Sequence, residues 1–178
     1  MSKKFLSLAT AAIFFLPLGA QAGNGYIGAS VGNMNYQEPG TSLHALNLTG
    51  RLGYRLASAL DVEVRAAAPS SADDGNREFS LNYLAGAYLK LNWAPMRSGH
   101  FEIYLIGGGT YISAAIGPVG SSTTETDSSR SYGIGLDFFG NDKTAFSIEW
   151  MRYGDGEIGP TNLPYTVDTL TLGVVHHF

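Results

Sequence analysis

From residue 25 onward the chain alternates. An apolar residue is followed by a polar one or a glycine, and no stretch shows helical periodicity. Eight such runs can be traced, over 25–33, 46–56, 60–68, 79–93, 101–113, 131–139, 144–153 and 167–178. A period of two places successive side chains on opposite faces of an extended strand. In the first run Ile27, Ala29 and Val31 oppose Tyr26, Gly28, Ser30 and Gly32. In the third, Leu60, Val62, Val64 and Ala66 oppose Asp61, Glu63 and Arg65. In the sixth, Tyr132, Ile134, Leu136 and Phe138 oppose Gly133, Gly135 and Asp137. Eight two-faced strands predict an all-β fold, an eight-stranded antiparallel up-and-down barrel.

Such a barrel can float in water or span a membrane, and the two cases differ in which face is wet. The apolar face here is Leu, Val, Ile and Phe, with Tyr54, Trp93 and Phe101 toward strand ends, as in a lipid-facing band with aromatic girdles. The polar face mixes charge and bulky Tyr with glycine. Glycine makes up 23 of the 178 residues, well above the usual share of about 7%. A water-facing outer surface has no use for so much glycine. A narrow eight-strand interior does, because a few large groups must fit beside very small ones. Charged residues are 15%, against about 25% in soluble domains. The barrel is therefore read as transmembrane.

Residues 1–22 read as an address. Lys3 and Lys4 precede an apolar run broken by Pro17 and Gly19, and Ala20-Gln21-Ala22 forms a small-x-small cleavage site. The run is shorter than the roughly 20 residues of a membrane-spanning helix, so it is expected to be a cleaved signal peptide. The barrel domain is then 23–178. Losing Lys3 and Lys4 leaves nine basic residues against fifteen acidic ones, a net charge of −6. That charge gives no electrostatic case for nucleic acid. The absence of cysteine excludes disulfides and a cysteine-linked lipid anchor.

The connections alternate long and short: 34–45, 57–59, 69–78, 94–100, 114–130, 140–143 and 154–166. Outer-membrane barrels have long outer loops and short periplasmic turns, so both termini are expected in the periplasm. The outer connections hold Glu38, Asp73, Asp74, Glu78, Glu125, Asp127, Asp155 and Glu157 against only Arg77 and Arg130. They are short and acidic, and 120–124 is low in complexity.

The first run, Tyr26-Ile27-Gly28-Ala29-Ser30-Val31-Gly32, resembles the first strand of the small eight-stranded outer-membrane barrels of Gram-negative bacteria, the OmpA-type and opacity-protein-like family. Ser131-Tyr132-Gly133-Ile134-Gly135-Leu136-Asp137 and Glu149-Trp150-Met151-Arg152-Tyr153 are similar to its sixth and seventh strands. The family's C-terminal assembly signal, polar-x-Gly-x-x-aromatic-x-Phe, is matched by Thr171, Gly173, His176 and Phe178, with His176 in place of the usual aromatic. The resemblance implies an integral outer-membrane barrel, a monomer among membrane lipids and lipopolysaccharide, inserted by the barrel-assembly machinery.

The inward charges are Arg51, Arg55, Arg65 and Lys90 against Asp61, Glu63, Glu102, Asp137 and Glu149. Buried charges must be paired, and the near balance reads as a network that fills the lumen. Arg51, Glu63, Arg65 and Glu149, which lie mid-strand, are its expected centre, with Lys90, Glu102 and Asp137 joined to them. The reading is a non-enzymatic barrel with a structural or surface-interaction role. A small passive channel is the alternative.

A third possibility is the lipid A-modifying chemistry of some relatives, which needs a serine, a histidine base and an acid. Only His44, beside Ser42, lies toward the outer leaflet. His100, His176 and His177 lie at the other end, and the deacylase His-x-Ser pair is absent. No spacing resembles a zinc site. Asp73-Asp74-Gly75-Asn76 lacks the later ligands of a calcium loop, so neither metal nor cofactor is expected. Asn47-Leu48-Thr49 matches a glycosylation sequon but lies mid-strand. If Phe178 ends the assembly signal, deleting it is expected to deplete the folded, heat-modifiable band from outer membranes while export continues, and His176→Tyr leaves that band equal or stronger.

Overall fold

A computed structural model describes residues 23–39, 41–70, 72–73, 77–93, 100–118, 123–158 and 163–178. The expected signal peptide, 1–22, lies outside the described residues, as do 74–76 of the Asp-rich tip and 119–122 of the low-complexity segment. The strands are β1 (Gly25–Glu38), β2 (Thr41–Ala57), β3 (Leu60–Pro69), β4 (Ala72–Asp73), β5 (Arg77–Trp93), β6 (Phe101–Pro118), β7 (Thr123–Phe139), β8 (Thr144–Ile158) and β9 (Leu163–His177). Eight are long; β4 is a two-residue strand beside the end of β5 opposite the termini.

Each long strand pairs antiparallel with its neighbours in sequence, skipping β4. The ring closes at β1–β9, from Tyr26↔His177 to Gln37↔Thr166, with Phe178 N donating to Gly25 O at 3.0 Å. β3 pairs with β5 from Leu60↔Leu91 to Ala67↔Leu84. The result is a closed eight-strand antiparallel barrel. At the end carrying the termini the two described turns, 58–59 and 140–143, are tight. Between β7 and β8, Asn141 Oδ1 accepts from the backbone N of Lys143 at 2.9 Å and of Thr144 at 2.8 Å, a side-chain-stabilised turn.

At the opposite end the strands run further than the alternation predicted. Segment 114–130, expected as a connection, is mostly hairpin, with Ala114↔Glu125 and Ile112↔Asp127 paired. Segment 34–45 is likewise strand up to Glu38↔Thr41. The alternation fades there because the outward face has left the hydrocarbon, whereas backbone pairing with a neighbour needs no apolar face.

Leu46, Trp93 and Phe146 stand 60% or more exposed on the outer wall. Trp93, Phe138, Phe146 and Phe178 ring the end with the termini, and Tyr111 and Tyr132 the other. The inward glycines answer particular rings. Tyr26 pairs with Gly53, Tyr104 with Gly135 and Tyr88 with Gly108. A Cβ at Gly53 or Gly135 would fall on the ring of Tyr26 or Tyr104. Tyr26 and Tyr104 therefore lie across their cross-strand glycines, and Tyr88 reaches over Gly86 of its own strand, which covers the bare backbone and keeps the large side chains inside the narrow ring. Gly135→Leu is expected to destabilise the folded barrel by about 1–3 kcal/mol through overpacking, read as a lower urea midpoint in micelles. Gly50→Ala, where the nearest atom to a new Cβ is Ala66 O at 4.0 Å, is expected to leave the midpoint unchanged.

Candidate functional site

The inward positions of six strands converge mid-barrel. Arg65 of β3 donates through Nη1 and Nη2 to the two carboxylate oxygens of Glu149 of β8, at 2.5 and 2.7 Å. Its Nε donates to Glu63, two residues away on the same face. This two-pronged fit is the strong form of a charge-assisted pair. Tyr26 of β1 donates to Glu63 Oε2 and Tyr104 of β6 to Glu149 Oε2, both at 2.8 Å. Arg51 of β2 stands 3.7 Å from Glu149 Oε2. The guanidinium of Arg65 also lies over the Tyr88 ring, 5.3 Å from its centre.

Below this centre, toward the termini, Lys90 donates to Asp137 Oδ2 at 2.8 Å. Its ammonium lies 3.9 Å from the centre of the Tyr104 ring and 5.5 Å from that of Tyr26, close enough for cation–π attraction. The two tyrosines thus touch both ionic groups. A third group lies nearer the rim. Arg55 meets Asp61 Oδ1 at 3.1 Å and Glu102 Oε2 at 3.1 Å. Arg51, Glu63, Arg65, Lys90, Glu102, Asp137 and Glu149 all face inward and are buried or nearly so. The first four named as the centre do meet. Lys90 and Asp137 pair with each other, and Glu102 pairs with Arg55 instead of joining them. Within these three groups four cations face five carboxylates, leaving one carboxylate in excess.

The sequence reading missed a second layer. Toward the end opposite the termini the interior is apolar, with Met34, Tyr36, Leu43, Leu84, Ile112, Met151, Tyr153, Tyr165 and Val167 in one buried cluster. Tyr36 and Tyr165 stack there, centres 6.0 Å apart. The missing signal was parity: Met34 and Tyr36 continue the inward positions Tyr26 to Gly32, and Leu43 continues those of β2.

Of the four residues expected to form the assembly signal, only Thr171 borders the network, in register with Glu149 of β8. Thr171 is buried on the inner face of β9, opposite Gly32 of β1, and Gly173 lies opposite Ser30. His176 and Phe178 are on the outer face, their rings edge to face at 6.0 Å, and His176 Nδ1 lies 3.0 Å from Thr144 Oγ1. Ser42, beside His44, donates to Asn35 Oδ1 at 3.1 Å.

Residues 5–178 match the family model of the outer membrane protein beta-barrel domain. Neisserial surface protein A has a similar structure, with 16% identity, a TM-score of 0.74 and coverage of 86% of this chain and 97% of that one. Ail of Yersinia pestis, solved with the heparin analogue sucrose octasulfate, is 15% identical over 89% of this chain and 100% of its own, with a TM-score of 0.60. OprG of Pseudomonas aeruginosa is 17% identical over 90% and 99%, with a TM-score of 0.54. At such identities the likeness is one of fold. No curated protein matches the sequence. A closed ring of two-faced strands, lipid-facing outside and charged within, together with a family match over nearly its whole length, makes this chain a member of the outer membrane protein beta-barrel domain family, located in the bacterial outer membrane.

Proposed function

We propose that this protein is a closed, non-enzymatic barrel with a structural and surface-interaction role, its lumen filled by the ionic network below and the apolar layer above. The single observation that carries the reading is the Arg65–Glu149 pair. It joins β3 to β8, strands separated in the ring by β2, β1 and β9, and so draws side chains together across the interior. In an eight-strand barrel there is room for side chains and little else. Ions would have to cross the paired charges and then an interior crowded by Met, Leu, Ile, Tyr and Val side chains.

In this reading 1–22 is removed on export, the termini lie in the periplasm, and the long hairpins project outward from a monomer set among membrane lipids and lipopolysaccharide. Assembly uses Thr171, Gly173, His176 and Phe178. The outward segments carry eight acidic residues against Arg77 and Arg130, so a partner at the tips is expected to be cationic. That separates this barrel from Ail, which was solved with a polysulfated ligand. No catalytic function is assigned, since the hydroxyl of Ser42 is bonded to Asn35 and not to His44.

Purified protein in planar bilayers is expected to give only small, rare openings. Large, stable, voltage-independent conductance in the wild type would overturn the closed reading in favour of a passive channel. Arg65→Ala or Glu149→Ala is expected to cost about 3–5 kcal/mol each, because an uncompensated charge stays buried, and to raise the frequency of openings. The double variant is expected to cost less than the sum, since the two groups are coupled; urea midpoints in micelles read all three.

A further inference from the structure

The pairing of β7 with β8 stops short. It runs from Phe139↔Ala145 to Tyr132↔Arg152 and ends there. Beyond that point β7 stays with β6 as far as Ile116↔Thr123, and β8 stays with β9 as far as Ile158↔Leu163. The wall therefore splits into two projecting hairpins. Among the described residues, β7 over 123–128 and β8 over 154–158 each have a strand neighbour on one side alone. The split starts at a local irregularity. The register of β8 shifts between Arg152 and Gly154, a bulge of the kind that bends a strand and ends its pairing. At the same level Tyr153 O accepts from the hydroxyl of Ser131 at 2.7 Å.

A strand edge is a row of N–H and C=O groups ready to pair with another chain, and proteins usually blunt it with lysine, proline or a covering segment. Where β2 and β3 part, that is done. Pro69 stands at the outermost pair, opposite Asn47. Ser70 N donates to Leu46 O at 2.7 Å, and Leu46 N donates to Ser70 Oγ at 3.0 Å. The β7 edge, Thr123-Thr124-Glu125-Thr126-Asp127-Ser128, has neither lysine nor proline, and its threonines suit an extended backbone. It is also held in place. Tyr165 of β9 donates to Asp127 Oδ2 at 2.5 Å, which ties the β6–β7 hairpin to β9. The cleft between the hairpins has Glu125 and Asp127 on one strand and Asp155 and Glu157 on the other, with Arg130 near its foot. The acids are spaced by two, the period at which an extended chain repeats its side chains.

We infer that this cleft takes an extended cationic segment of another protein, which adds to the edge of β7 as a further strand. Main-chain hydrogen bonds hold it, as in other cases of strand addition, and lysines or arginines at its alternate positions meet the acids. A second copy of this chain does not fit, because it brings the same acidic edges and like charges across a strand pair repel. The inference gives a place and a mode to the cationic partner of the surface-interaction reading, and it rests on that reading and its orientation.

The experiment has two arms. Thr126→Cys on intact cells is expected to react with a membrane-impermeant maleimide. Reaction only after permeabilisation would overturn the orientation and this inference with it. The second arm uses folded protein in zwitterionic micelles and a fluorescent peptide of alternating lysine and threonine. Anisotropy is expected to show binding, and amide exchange is expected to slow at 123–128. The same peptide N-methylated throughout keeps its charge and loses every main-chain donor. It is expected to bind roughly a hundredfold more weakly, the worth of a few main-chain hydrogen bonds. Glu125→Lys combined with Glu157→Lys is expected to weaken the unmodified peptide roughly tenfold, as two exposed charge pairs would. Both positions lie beyond the last β7–β8 pair, so heat-modifiable mobility is expected to be unchanged and serves as the folding control. Four results would overturn the docking mode while leaving the orientation intact: no binding; equal binding of the N-methylated peptide; equal binding by the double variant; or slowed exchange elsewhere than at 123–128.

Discussion

In hydrocarbon an unpaired backbone N–H or C=O costs several kcal/mol, because no water is present to replace the lost partner. Every strand of this barrel therefore needs two neighbours, and the pairing of β1 with β9 is what provides the last of them. Closure in turn limits everything else. With eight strands the ring is narrow, the inward side chains must share a small cross-section, and the outward ones are given over to lipid.

The narrow interior explains the pairing of tyrosine with glycine. Tyr26, Tyr88 and Tyr104 need space that only a residue without a Cβ leaves; Tyr26 and Tyr104 find it at Gly53 and Gly135 on the neighbouring strands, and Tyr88 at Gly86 of its own. Held in that way, the hydroxyls of Tyr26 and Tyr104 reach Glu63 and Glu149. The same two rings lie close to the ammonium of Lys90. Packing and electrostatics are thus served by the same side chains. A change at Gly135 would disturb the ionic centre without touching a charge.

The interior has two layers of different character. Near the termini it is ionic and hydrogen-bonded, and toward the other end it is apolar. Ion pairs inside a low-dielectric wall give direction and register, but they recover little net energy once desolvation is counted. The apolar layer loses nothing to desolvation and excludes water by contact.

The face of each residue, the number of long strands, the closure of the ring and the inward location of the charges were legible in the chain, because a period of two is a local property and lipid admits no other arrangement of such strands. Parity alone, continued beyond the apolar runs, also contained Met34, Tyr36 and Leu43. The partners were not legible. That Arg65 grips Glu149, 84 residues away, while Glu102 turns to Arg55, depends on how far each strand is staggered against the next and on which side chains lean across the ring. Those are properties of the closed barrel. The sequence determined which residues enter the lumen; only closure, which brings β3 and β8 within reach of each other's side chains, decided which of them meet.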